Sequence, residues 1–303
     1  MKHLISLKEQ SPKDLLEILS LAQKLKALRA KGTMKPYLAG KTLIMLFQKT
    51  STRTRLSFEA GMTELGGHAI FLDSRMTQLT LSDFRDEIQA IMRFGSVLMF
   101  RALKVADVEL AASFNRIPVI DACSEKYHPC QALGDMLTMI EHTPASPRLR
   151  RAGKGDSLLE KISNIKKIAW LGVENNVSTT LRTASAKLGI EVVNEIKDLK
   201  GAQFLHTDTW MDMEYFDAGG KVKPEFQKEY KKRIAANMPK QINAKLLAKY
   251  CPDAKIMHCM PCHVGYEISR DAIDHPNAII FDQAENRMHI QKAIILWLLG
   301  IKA

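Results

Sequence analysis

Gln48-Lys49-Thr50-Ser51-Thr52-Arg53-Thr54-Arg55 stands where one hydrophobic pattern gives way to another. Before it, residues 41–47 (KTLIMLF) form a short apolar run of strand type. After it, residues 55–65 follow a helical pattern that stops at Gly66-Gly67. Ser51 occupies an N-cap position, where the free N–H groups of a first turn meet the positive end of the helix dipole. Hydroxyls from Thr52 and Thr54 and a guanidinium from Arg53 suit a phosphate-like group at that point. The same residues also describe a well-capped helix with ordinary surface arginines, and the octapeptide alone leaves both readings open.

The unit around this stretch recurs. Residues 12–30 predict an amphipathic helix, started by Ser11, Pro12 and Asp14. Strands are expected at 68–73, 96–101 and 118–122, with helices at 82–94, 105–114 and 129–142. Residues 143–163 are rich in Pro, Gly, Ser and basic side chains and read as a linker. A second series follows, with strands at 167–173, 202–207, 255–259 and 278–281. Its helices fall at 177–188, near 224–235, at 242–250 and, closing the chain, from about 285 to 299. Such alternation predicts an α/β fold in two domains, each a parallel sheet flanked by helices. The expected domains are 1–142, joined by the last helix at 285–303, and 143–284. Ligands of such sheets gather at the carboxyl ends of the strands, where the octapeptide, Arg101 and His128 all fall.

Size and composition agree. A chain of 303 residues, 46% hydrophobic and 25% charged, is long enough for two domains. No apolar run reaches the roughly 20 residues that span a bilayer, and the first residues carry no secretory apolar region. A cytoplasmic protein without membrane association is expected. Five cysteines, an odd number, form no disulfide framework. The net charge of +11 is spread along the chain, without a nucleic-acid-binding signature, so small anionic substrates are expected and nucleic acid is not.

Four further stretches could carry chemistry. His128-Pro129-Cys130-Gln131 opens a helix with an imidazole suited to donating to a carbonyl oxygen, or with a capping histidine and a packed glutamine. His258-Cys259-Met260-Pro261-Cys262-His263 suggests zinc or a redox Cys-x-x-Cys pair. Six contiguous residues can hardly wrap one tetrahedral ion, and Cys262 does not open a helix, so neither metal nor cofactor is expected. Asp208 and Asp212 could hold a cationic amine or lie in a solvated loop, and Asn175-Asn176 could be a turn. Arg287, read as lying in the first turn of the last helix, sits against the dipole and implies a compensating anion.

Together these motifs resemble the aspartate/ornithine carbamoyltransferase family, most closely its ornithine type, over nearly the whole chain. Ser51-Thr52-Arg53-Thr54-Arg55 is similar to the family's Ser-x-Arg-Thr-Arg, and residues 128–131 to its His-Pro-x-Gln. His258-Cys259-Met260-Pro261 looks like the His-Cys-Leu-Pro of the ornithine type, and residues 281–287 resemble the closing segment.

The resemblance implies transfer of the carbamoyl group of carbamoyl phosphate to the side-chain amine of L-ornithine, giving citrulline and phosphate in arginine metabolism. It implies that Ser51, Thr52, Arg53 and Thr54 hold the phosphate and that Arg101 bridges phosphate and carbonyl. His128 and Gln131 orient the carbamoyl end, Cys259 and Met260 contact carbamoyl phosphate with Cys259 also beside the attacking amine, and Arg287 closes over the anion; Arg101, His128 and Cys259 are the expected catalytic residues. Gln78 is expected to reach carbamoyl phosphate from a neighbouring subunit of a homotrimer. Asn176, Asp208, Asp212 and Met213 are expected to bind the amine substrate. Two departures stand out. Asp212-Met213-Glu214 replaces the ornithine type's Ser-Met-Gly, which keeps putrescine or an N-modified ornithine as alternative acceptors, and a carbamoyl-phosphate-binding protein without turnover as the rival reading. Only eighteen residues separate Gly189 from Asp208, where the family carries a further strand and helix.

Overall fold

The computed structural model describes residues 1–79, 81–144, 157–211, 215–217 and 219–303. Two compact units divide the chain. The first comprises residues 1–141, 175–188 and 284–303, and the second residues 142–174 and 189–283.

In the first unit, helix α1 (Pro12–Ala30) begins with a reciprocal capping box between Ser11 and Asp14. It buries Leu15, Ile18, Leu19, Ala22 and Leu25, one stripe at helical spacing. Strands β1 (Thr42–Phe47), β2 (His68–Asp73), β3 (Val97–Arg101) and β4 (Val119–Asp121) form one parallel sheet in the order β2-β1-β3-β4. Helix α2 (Thr52–Glu64) connects β1 to β2. Helices α3 (Phe84–Ile91), α4 (Val105–Ser113) and α5 (Pro129–His142) follow β2, β3 and β4 in turn. Residues 43–47 are all buried, as expected of a central strand covered on both faces. Register does the positioning. Phe47 lies opposite Arg101 and Phe100 opposite Asp121, so three strands end side by side.

The second unit repeats the plan. Helix α6 (Leu158–Asn164) precedes β5 (Lys167–Trp170), helix α7 (Asn176–Lys187) leaves for the first unit, and β6 (Glu191–Val193), β7 (Phe204–Thr207) and β8 (Lys255–His258) complete a parallel sheet. Its order is β6-β5-β7-β8. Helices α8 (Gln227–Asn237), α9 (Ala244–Tyr250) and α10 (Arg270–Ile273) belong to this unit, and α11 (Ile280–Leu299) closes the chain.

Three expectations are corrected. Residues 278–281 are not a strand: Ala278 makes a single bridge to Ile256, and α11 already begins at Ile280. The apolar run there is helical because its neighbours continue a buried helical stripe, which a four-residue window cannot distinguish from a strand. Within the supposed linker, residues 158–164 are helical, started by a Ser157–Glu160 capping box; residues 145–156 lie outside the described residues. Between Gly189 and Asp208 a strand, β6, was missed. Its passage to β7 takes ten residues and a single 3-10 turn, Ile196–Asp198, sealed by the fully buried Leu199.

Candidate active site

The cradle forms as a strand-to-helix joint. Ser51 is extended (φ −165°, ψ 117°) and caps α2 by accepting from the Thr54 N–H at 3.3 Å. Its hydroxyl also donates to Thr54 Oγ1 at 3.0 Å. Thr54 is fully buried, and Nη2 of Arg287 donates to the same Oγ1 at 2.9 Å. Arg101, at the end of the neighbouring strand, donates from Nε to the Thr50 carbonyl at 3.3 Å, and its own carbonyl accepts from the Gln48 N–H at 3.0 Å. Arg55 points elsewhere: it pairs with Glu59 at 2.9 Å and lies over the Phe71 ring.

Positive charge is concentrated here. Burial, and then the nearby Arg101 and Arg53 guanidiniums, push Arg287 down to about 10, so it stays protonated at neutral pH. Its position is a correction. Arg287 lies two turns inside α11 rather than in the first turn, so the helix dipole does not call for its counter-anion. What calls for one is a buried guanidinium beside two others, with Nε lacking a partner among the described residues.

His128 sits immediately before α5, its N–H donating to Thr180 Oγ1 at 3.0 Å. Burial, reinforced by Arg287, Arg101 and Lys49, holds its pKa well below the ordinary histidine range. The imidazole is therefore neutral at pH 7, and Nδ1 has no partner among the described residues. Gln131, one helical turn on, is buried and donates to Asp135 at 2.9 Å. Cys130 is fully buried, which raises its thiol to about 12 and makes it a packing residue. Ser51, Thr54, Arg53, Arg101, His128 and Arg287 are thus drawn together in the first unit. Thr52 opens α2 on an exposed position. Gln78 lies apart, exposed in the turn after β2.

Asn176, also in the first unit, follows the helix cap supplied by Asn175. Its amide donates to the Ser124 carbonyl at 2.6 Å and to Cys123 Sγ at 3.3 Å. Asp208, Cys259 and Met260 belong to the second unit, at the carboxyl ends of β7 and β8. Asp208 Oδ1 accepts from the Thr209 N–H at 2.8 Å, and Cys259 is buried. Met260 adopts a left-handed backbone (φ 56°), a strained position for a residue with a side chain. It is braced by its N–H donating to His258 Nδ1 at 2.8 Å. With Nδ1 accepting, His258 Nε2 carries the proton and faces Glu267 Oε1 at 3.2 Å; both partners are about 1% exposed. Both ring nitrogens of His258 are therefore engaged in holding the Cys259–Met260 loop. Asp212 and Met213 lie outside the described residues.

Sequence reasoning missed Glu267, Thr209 and Asp121. Glu267 is nine residues from His258, and no spacing rule links a carboxylate that far along a loop to a strand end. Asp121 could have been flagged, because a carboxylate ending an apolar strand beside Arg101 is unusual. Burial raises its pKa to about 7, against the pull of Ser124, the backbone N–H groups of Cys123 and Ser124, and Lys49.

Comparison with known proteins places the chain among relatives. Residues 2–141 match the aspartate/ornithine carbamoyltransferase carbamoyl-P binding domain, and residues 193–298 match the Asp/Orn binding domain of the same family. The chain is 37% identical to an ornithine carbamoyltransferase of Syntrophotalea carbinolica, and equally to one of Methanospirillum hungatei, over 99% of each chain in both cases. Among solved structures, the ornithine carbamoyltransferase of Pyrococcus furiosus superposes with a TM-score of 0.82 at 31% identity, covering 99% of this chain and 98% of that one. That of Thermus thermophilus gives 0.80 at 29% identity, with 99% of each chain covered. The matches of both domain models and the full-length likeness lead to one conclusion: the chain belongs to the aspartate/ornithine carbamoyltransferase family.

Proposed function

We propose that this protein transfers the carbamoyl group of carbamoyl phosphate to the side-chain amine of L-ornithine, releasing citrulline and phosphate. The observation that supports this most is the group formed by buried Thr54, Arg287 and a neutral His128, with the half-buried Arg101, around the Ser51 helix cap. The α2 N–H groups, the hydroxyls of Ser51 and Thr52 and the Arg53 guanidinium hold the phosphate. Arg101 bridges phosphate and carbonyl, and Gln131 orients the carbamoyl end. As the amine attacks, charge develops on the carbonyl oxygen, and Thr54, Arg101 and His128 stabilise it. One pre-positioned donor of this kind contributes about 3–4 kcal/mol. A neutral imidazole is the suitable donor, because it places a hydrogen bond there without adding a fourth full charge to the site.

The amine arrives uncharged. The new C–N bond forms while the carbon–oxygen bond to phosphate breaks, and the proton lost by the amine leaves on the departing phosphate. Asn176, Asp208, Asp212 and Met213 bind ornithine, with Cys259 beside the reacting amine and Met260 next to the carbamoyl group. Residues 1–142 with 285–303 form the carbamoyl-phosphate domain and residues 143–284 the amine domain. The active enzyme is a cytoplasmic homotrimer in which Gln78 completes the site of a neighbouring subunit. No helix among the described residues is long and apolar enough to cross a membrane.

The test is a carbamoylation assay with carbamoyl phosphate and, in turn, ornithine, putrescine, N-acetylornithine and aspartate. Phosphate release with ornithine alone is expected. Release with none of the four favours a binding protein without turnover, and an Arg53→Ala variant that binds carbamoyl phosphate with unchanged affinity refutes the cradle.

A further inference from the structure

We propose that His263 is a positioning residue, a clamp that holds the amine-binding end of β7 and the Cys259 loop in one frame. It rests on the reading that this unit receives ornithine, and it goes beyond it by naming what sets the geometry of that receptor.

Three groups meet at the His263 ring, all within the second unit. Thr209, the residue after Asp208, places its hydroxyl 2.9 Å from Nδ1. Phe216 lies against the ring face, with centroids 5.0 Å apart and planes at 30°. Glu267 Oε2 lies 3.8 Å from Nδ1, while Glu267 Oε1 accepts from the His263 N–H and from His258. Thr209 and Phe216 flank positions 212–214 in the sequence, so one imidazole holds the chain on both sides of them.

The Thr209 hydroxyl lies 3.0 Å from the Met211 carbonyl and accepts from the Met211 N–H at 3.3 Å, so it is held in place by its own turn while it meets the imidazole. A hydroxyl both donates and accepts, so the 2.9 Å contact is a hydrogen bond with either tautomer of the ring. That bond ties Thr209 to a ring whose backbone is already bound to the buried Glu267. Through Glu267 and His258 the connection continues to the Met260 N–H. The outer side of the ring stack is closed by Tyr230, edge-on to Phe216 and to Tyr266.

Two variants separate the contacts. His263→Phe keeps a ring for Phe216 and loses the hydrogen bond to Thr209, and Thr209→Val removes the same bond from the other side. Each is expected to raise KM for ornithine about tenfold, with KM for carbamoyl phosphate unchanged and kcat within about threefold. The double variant should be no worse than the worse single one, because both remove the same bond. His263→Asn, whose amide can donate or accept near the Nδ1 position, should recover most of the loss. Independently of turnover, hydrogen exchange in residues 208–217 of the unliganded Thr209→Val protein should be faster than in wild type. Unchanged exchange there overturns the clamp, as does an unchanged ornithine KM or an equal rise in both KM values. A wild-type protein that fails to carbamoylate ornithine would instead overturn the assigned reaction, and the exchange measurement would still decide the clamp.

Discussion

Replacing Arg287 with Met should make the unliganded protein more stable while depriving it of its ligand. The guanidinium is almost fully buried, and burial with two cationic neighbours takes its pKa from an ordinary value of about 12.5 to about 10. For a base, a lowered folded-state pKa means that the charged form is penalised by folding. At pH 7 both states are protonated, so the penalty is fully present, and it is relieved only as pH rises through about 10. At about 1.4 kcal/mol per tenfold, it amounts to roughly 3 kcal/mol. Against this stands the hydrogen bond to Thr54, worth about 1 kcal/mol, and some loss of packing. The net expectation is a gain of about 1–2 kcal/mol, or roughly 2–5 °C in Tm for a chain of this size. Denaturant and thermal unfolding, each with and without carbamoyl phosphate, read both halves of the claim. At a ligand concentration about a hundred times Kd the wild type gains about 2.7 kcal/mol. The variant, having lost a charged contact worth at least tenfold in affinity, gains roughly half of that or less. An unliganded Arg287→Met protein that is less stable than wild type by more than about 1 kcal/mol would refute the reasoning, because Arg287 would then be satisfied by the protein rather than held in readiness for an anion.

Asp121→Asn should stabilise the protein in a pH-dependent way. Its raised folded pKa, about 7, means that the wild type binds a proton the unfolded chain has released, so stability is lost from about pH 4 upward and levels off above 7. The variant should equal wild type near pH 4 and exceed it by about 4 kcal/mol at pH 8; parallel stability curves would contradict this. In the first unit Lys292 is fully buried against Glu64, which also pairs with Arg29 at 2.7 Å. Glu64→Gln should cost about 3 kcal/mol in urea unfolding by leaving a buried ammonium without its carboxylate, whereas Lys292→Met should be within about 1 kcal/mol of wild type. Equal costs for the two would show that the pair itself, rather than the desolvated charge, governs the effect.

Legibility followed locality. Ser51 was recognisable as a helix cap because a cap depends on its immediate neighbours, and the structure shows it bonding to the Thr54 N–H. Arg101 was recognisable as a strand end and His128 as a helix start, and the Phe47–Arg101 register brings strand ends together as a parallel sheet requires. Arg287 was identified by type and misjudged in place, since a start at Ile280 depends on packing of an apolar run that suits strand and helix equally. Glu267 and Thr209 were not legible at all. Each meets His258 or His263 across turns whose path no short-range rule prescribes.

What the sequence by itself determined is the set of periodicities, caps and breaks, and from these the alternating α/β plan and the strand ends where chemistry gathers. These depend on interactions a few residues long, so a window of sequence contains them. The tertiary structure alone decided the electrostatic state of the site: a neutral His128, a penalised Arg287 and a carboxyl at Asp121 that titrates near 7. Those states come from the removal of water and the approach of charges distant in the chain, and neither exists until the sheet has brought the residues together.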